Sequence, residues 1–108
     1  MLVYHRTTAA AAQAIQAHGF LDGASGYGTP RAKAGVLFAD VPLDIRAGAH
    51  GEALITVDLV GEARHSLEAY AWVDPDRRAA YVEWLIPAEF ANRRAVILSV
   101  DVREPAAW

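Results

Sequence analysis

The chain contains no cysteine among its 108 residues. This absence excludes disulfide bonds, a thiolate nucleophile, and zinc or iron–sulfur sites built on cysteine. It is also typical of proteins that work in a reducing compartment, so we expect a cytoplasmic location.

Long apolar runs are also missing. No stretch approaches the roughly 20 apolar residues that a membrane-spanning helix requires. The opening residues MLVYH have neither the basic region nor the apolar segment of a secretion signal. We therefore expect neither a signal peptide nor a membrane partner.

No strong excess of one charge is present either. Ten basic and 13 acidic residues give a net charge of −3. The largest basic groups are the pairs Arg77-Arg78 and Arg93-Arg94, whereas a long nucleic acid needs a concentrated basic surface. A nucleic-acid partner is therefore not expected. Basic residues outnumber acidic ones within residues 1–34, and this local excess would suit a small anionic ligand.

The bulk composition predicts one folded domain spanning residues 1–108. Hydrophobic residues make up 54% of the chain and charged residues 21%, which is typical of a globular protein and not of a disordered one. A domain of this length buries only about two-thirds of its unfolded surface. A homodimer would add stability, and the sequence leaves that alternative open.

Local patterns predict one long helix and several strands. The alanine-rich segment 9–18 favours a helix, with Thr7 or Thr8 as its N-cap and Gly19 at its C-terminus. A single long helix argues against a doubly wound parallel sheet, so we predict an α+β fold with a mostly antiparallel sheet. Apolar runs and alternation predict strands at 2–5, 36–39, 53–59, 67–73, 81–86 and 95–102, with helical turns at 42–46 and 87–92.

Residues 21–34 are rich in glycine and predict a loop that is long for so small a domain. Such loops are often functional. The segment is not a phosphate-binding loop of a standard kind, because it lacks the required lysine and does not lead from a strand into a helix.

Two polar side chains stand out within apolar strands. His5 ends the first strand, and taken alone it predicts a hydrogen-bonded structural histidine. Glu83 lies between Val82 and Trp84, so it either faces solvent or points into a cleft. A buried carboxylate is costly, and a cleft position would therefore indicate catalysis or ligand binding.

The order of short motifs along the chain is more informative than any single residue. Tyr-His-x-Thr at 4–7 is followed by a helix ending in Gly-Phe, the glycine-rich loop, Gly-Val-Leu-Phe-Ala-Asp at 35–40, and Tyr-x-Glu at 81–83. This series resembles the ADP-ribosyltransferase superfamily, particularly the branch of poly(ADP-ribose) polymerases and small rifampicin-modifying transferases. The resemblance implies a split, mostly antiparallel sheet with one main N-terminal helix.

The resemblance also implies roles for individual residues. His5 would be a catalytic-site residue that hydrogen-bonds a ribose of NAD, with Arg6 and Thr7 beside it, and Glu83 would be the catalytic acid. Phe38 matches a family phenylalanine, and Tyr27 could stack on the nicotinamide.

Two departures from the family pattern favour an altered or lost activity. Arg6 replaces a glycine whose backbone holds the nicotinamide amide, and Leu37 replaces a tyrosine that packs against the ring.

Two functions follow as hypotheses, and a third alternative is an unrelated small α+β protein whose motif matches arise by chance. The first is an NAD-dependent ADP-ribosyltransferase or NAD glycohydrolase that acts as a toxin or as a modifier of a protein or small molecule. The sequence does not identify this acceptor. The second is a non-catalytic module on the same fold that binds a nucleotide or a protein. Neither requires a metal, and the four histidines show no ligand spacing.

The first hypothesis sets a geometrical condition. His5 and Glu83 should lie on neighbouring strands and face one concave pocket bordered by residues 21–34. Side chains on opposite faces of the sheet would contradict the superfamily assignment.

Overall fold

The computed structural model describes residues 1–21, 23–25, 33–42, 51–72 and 82–103. Strands and short helices follow one another in this part of the chain without a repeating βαβ unit. The strands are β1 (Leu2–Thr7), β2 (Gly23–Ser25), β3 (Lys33–Ala39), β4 (Ala53–Leu59), β5 (Ala71–Trp72), β6 (Glu83–Ile86) and β7 (Ala95–Val102). The helices are α1 (Ala9–His18), the 3₁₀ helix Arg64–Tyr70 and α2 (Ala88–Arg94).

The strands form an antiparallel sheet in the order β5-β6-β3-β1-β4-β7, with β2 paired to β3. Every strand pair of the described residues is antiparallel. The prediction of an α+β fold with a mostly antiparallel sheet is therefore confirmed.

One face of the sheet, here called the core face, carries the hydrophobic core. Its fully buried side chains include Val3 on β1, Phe38 on β3 and Ile55 on β4. Ala12 of α1 and Ala91 of α2 pack into the same cluster. Burial through alanine lets these helices approach the sheet closely.

Several predicted elements are confirmed with their bounds. The helix at 9–18 and the strands at 53–59 and 95–102 have the predicted limits. Thr8 caps α1 by accepting a hydrogen bond from the Ala11 N–H at 3.1 Å, and Gly19 ends the helix with a φ of 87°.

The predicted strand at 67–73 is wrong for most of its length. Residues 64–70 form the 3₁₀ helix, and β5 comprises only Ala71–Trp72. Ser66 stabilises the helical turn, because its hydroxyl accepts from the Ala63 N–H at 3.0 Å and lies 2.6 Å from a Glu62 carboxylate oxygen. Leu67 is then fully buried in the core.

The remaining differences concern the residues at which elements begin and end. The predicted loop at 21–34 includes β2 and the start of β3, which pair with each other. The helical turn predicted at 87–92 corresponds to α2. Of the strand predicted at 81–86, β6 comprises residues 83–86. Most of the helical turn predicted at 42–46 lies outside the described residues.

Candidate functional site

His5 points into the hydrophobic core. Its ring centroid lies 6.0 Å from that of Phe20 and 5.7 Å from that of Phe38. Its Nδ1 atom is 2.8 Å from the carbonyl oxygen of Leu37, and because a carbonyl only accepts, Nδ1 carries the proton of this bond. Burial lowers the pKa of His5, and the bond to Leu37 opposes that effect only in part. His5 is thus a half-buried, hydrogen-bonded side chain on the core face, and its lowered pKa favours the neutral form.

Glu83 is buried on the other side of the sheet. Only 4% of this residue is exposed, and among the described residues it is the one charged residue that is buried. The alternative that Glu83 faces solvent is therefore wrong. Its neighbour Trp84 is 2% exposed and lies in the core cluster. Since successive side chains of a strand point to opposite faces, Glu83 points away from the core.

The strand register explains this placement. Glu83 pairs with Ala39, and Ala39 also pairs with Tyr4 on β1. Paired residues share a face of the sheet, so Tyr4, Ala39 and Glu83 form a row across three strands. We call their side of the sheet the polar face.

His5 and Glu83 therefore do not share a pocket. His5 is one residue from Tyr4, and successive side chains of a strand point to opposite faces. The expectation that both side chains face one cleft is wrong, because the pairing brings Glu83 level with residue 4 and not with residue 5. The geometrical condition stated with the first hypothesis is therefore not met.

The other proposed cofactor residues divide between the two faces. Phe38 is fully buried against His5 and Phe20, so it lies on the core face and not with Tyr4 and Glu83. Thr7 alternates with Arg6 and lies on the side of His5. Arg6 lies on the polar face with Tyr4; both side chains are half-buried, and the Nη1 atom of Arg6 is buried. Tyr27 lies outside the described residues.

The N-terminus of α1 is occupied by an acidic side chain that the sequence analysis missed. An Oε1 atom of Glu52 accepts a hydrogen bond from the Ala9 N–H at 2.8 Å. This bond is the main reason that the pKa of Glu52 is lowered. A carboxylate already fills the position where a helix N-terminus could receive a phosphate. Since 43 residues separate the partners, no local pattern could have revealed the contact.

A groove lies between α1 and β7, away from the polar face row. It has a volume of about 300 Å³, and its lining carries no ionisable side chain. The lining residues are Ala9, Ala10, Ala12, Gln13, Gln16, Val100 and Val102.

Comparison with protein-family models, with curated proteins and with solved structures found no match. Within the described ranges, no helix is long and apolar enough to cross a membrane. The same residues contain no group of three or more histidine, cysteine, aspartate or glutamate side chains that could hold a metal ion.

The placement of His5 predicts a pH-dependent stability. Its pKa is lower in the folded chain than in the unfolded chain, where it is about 6.5. The unfolded state therefore binds more protons as the pH falls through 6.5, and the free energy of unfolding decreases below that pH. Urea unfolding at pH 7.5 and 5.5 should show this decrease in the wild type and a smaller one in His5→Phe.

The control is His65→Gln, which replaces an exposed histidine. We expect this variant to keep the pH dependence of the wild type. An equal decrease in wild type and His5→Phe would contradict the assignment of the effect to His5.

Proposed function

We propose that the chain is a nucleotide-binding module whose ligand contacts the polar face, with NAD as the first candidate. The observation that carries the proposal is the burial of Glu83 in a row with Tyr4. An ionised carboxylate is expensive to bury, and perturbed, buried acids are concentrated at functional sites. NAD is the ligand to test first because it combines phosphates, riboses and aromatic bases, the groups that Arg6, Glu83 and Tyr4 can contact.

The residues of the polar face suit the parts of a dinucleotide. The guanidinium of Arg6 already has a partner within the chain; a phosphate that replaces this partner could accept two parallel hydrogen bonds from it. The Glu83 carboxylate can accept hydrogen bonds from ribose hydroxyls, and Tyr4 offers an aromatic surface to a base. Two strand spacings separate Tyr4 from Glu83, or roughly 10 Å, which is within the length of a nucleotide.

The burial of Glu83 limits how a ligand can contact its carboxylate. Tyr4 and Arg6 are half-buried, whereas Glu83 is 4% exposed. Glu83 also has a partner within the chain. A ligand that makes its first contacts at Tyr4 and Arg6 therefore binds Glu83 only by replacing that partner.

A second candidate is an NAD-dependent ADP-ribosyltransferase or NAD glycohydrolase, and the burial of Glu83 is again the observation in its favour. Cleavage of the nicotinamide–ribose bond develops positive charge on the sugar, which a carboxylate in a dry site stabilises. The acceptor would be water, a protein or a small molecule. The position of His5 on the core face, away from Glu83, is the reason that this candidate ranks second.

Calorimetry with NAD, ADP-ribose and nicotinamide tests the proposal. We expect NAD and ADP-ribose to bind and to compete with each other, because both carry the phosphates and the ribose. Arg6→Gln should weaken both by about tenfold, the loss of one charge-assisted interaction of roughly 1.5 kcal/mol. Arg93→Gln is the matched control, since its side chain is 69% exposed and belongs to α2, outside the strands of the polar face.

Three outcomes separate the candidates. Binding without release of nicotinamide supports the module. Binding followed by release, detected by chromatography, supports the enzyme. No binding of NAD or ADP-ribose at millimolar concentration would overturn both.

A further inference from the structure

Strand β7 forms one end of the described sheet. It spans Ala95–Val102 and pairs on one side with β4. Three of its aliphatic side chains are about half exposed, namely Val96 at 50%, Leu98 at 55% and Val102 at 55%. An edge strand of this length with exposed aliphatic residues is a template for pairing with another strand.

A bulge lies in the middle of this edge. Thr56 pairs with Ser99 and Val57 with Ile97, so Leu98 is the extra residue of β7. The bulge reverses the usual relation between residue number and face along the strand. Ala95 and Val100 lie on one face, because their partners are Leu59 and Ile55, and Val96 and Ser99 lie on the other, because their partners are Asp58 and Thr56.

We propose that a second copy of this chain pairs with β7 in an antiparallel arrangement about a twofold axis. An antiparallel twofold pair matches each residue with one partner and repeats the match by symmetry. The register that keeps both faces continuous pairs Ala95 with Val100 of the partner subunit and Val96 with Ser99 of the partner subunit. A shift of the pairing by one residue would match core-face residues of one subunit with residues on the opposite face of the other.

Charge complementarity selects the same register. Continued by one residue, it brings Arg94 opposite Asp101 of the partner subunit, and symmetry repeats this pair. Both side chains are exposed enough to exchange their present partners for each other. Arg94 is 56% exposed and 3.7 Å from Glu62, and Asp101 is 45% exposed beside Arg103. Exposed ion pairs contribute little affinity, and their main effect is to fix the register.

The groove between α1 and β7 extends the same surface. It is lined by Val100 and Val102 of the edge strand and by alanines of α1. In the proposed register, the C-terminal end of the partner's α2 lies beside Val102 and this groove. Apolar contact on the core face can therefore continue beyond the paired strands.

Sedimentation equilibrium over about 1 to 500 μM tests the dimer. We expect the wild type to dimerise with a dissociation constant in this range, and Leu98→Lys to weaken the dimer at least tenfold, because an edge lysine opposes strand pairing. Leu21→Lys is the matched control, since Leu21 is 79% exposed and outside β7. Circular dichroism checks that each variant is folded.

A charge exchange tests the register. Arg94→Asp and Asp101→Arg should each weaken the dimer about five- to tenfold, because each places like charges together twice. The double variant should return to within about threefold of the wild type, because it restores opposite charges.

Two results would overturn the proposal. One is a monomeric wild type at all concentrations, which would include the case that β7 pairs with a different protein. The other is a wild-type dimer that Leu98→Lys leaves intact, since the interface would then lie elsewhere.

Discussion

Glu83→Gln is expected to weaken NAD binding by about 10- to 100-fold. The neutral amide keeps the shape of the side chain but removes charged acceptor oxygens, and a hydrogen bond to a charged group contributes roughly 1.5–3 kcal/mol. If the wild type releases nicotinamide, the same variant should slow release by about two to three orders of magnitude, the effect of losing one well-placed electrostatic group. Calorimetry and chromatography measure the two effects separately.

Two variants make this result specific. Glu89→Gln changes a side chain that is 84% exposed and should leave affinity unchanged. His5→Ala should lower stability by about 1–3 kcal/mol, since it removes a partly buried hydrogen bond and ring contacts, without changing NAD affinity. A Glu83→Gln variant with altered stability but unaltered affinity would show that the carboxylate serves the fold alone.

Local sequence patterns predicted much of the fold because the deciding forces are local. Strand β4 alternates apolar and polar residues over 55–59, and α1 combines high helix propensity with a capping hydroxyl at Thr8. The pattern failed at residues 64–70, where apolar and aromatic residues favour a strand but Ser66 hydrogen-bonds the preceding turn. Short side chain–backbone bonds of this kind compete with strand pairing.

The candidate site could be predicted only in part, because it depends on how distant strands are aligned. The sequence singled out His5 and Glu83 correctly as unusual polar residues of apolar strands. It could not show that Tyr4, and not His5, aligns with Ala39 and Glu83. A change of one residue in register moves a side chain to the other face, and motif order carries no information about register.

The contacts at the two ends of α1 also could not be predicted from local sequence. Glu52 binds the Ala9 N–H at the start of the helix. At the other end, the side-chain amide of Asn92 accepts from the Phe20 N–H at 2.7 Å and donates to the Phe20 carbonyl at 2.9 Å. Both contacts satisfy backbone groups through residues that are distant in sequence, so propensity alone could not identify them.

Gly51→Ala is expected to destabilise the fold by about 3 kcal/mol or more, because a strained backbone and a steric clash act together. Gly51 has a φ of 119°, which side chains rarely adopt, and an added Cβ would lie 2.1 Å from the carbonyl oxygen of Thr7. That oxygen belongs to backbone at the end of β1, where Thr7 pairs with Ala53. Relief of the clash would therefore displace the β1–β4 pairing and the adjacent Glu52, which caps α1.

Gly61→Ala is the matched control for this prediction. Gly61 also has a positive φ, 77°, but an added Cβ would meet nothing within 4 Å. Gly61→Ala should therefore lower the free energy of unfolding only by the backbone penalty of about 1–2 kcal/mol. For a domain of this size, each kcal/mol lowers the melting temperature by roughly 4–8 °C, so thermal unfolding should resolve the two variants. If Gly51→Ala costs no more than Gly61→Ala, the close approach of residue 51 to Thr7 does not exist in solution.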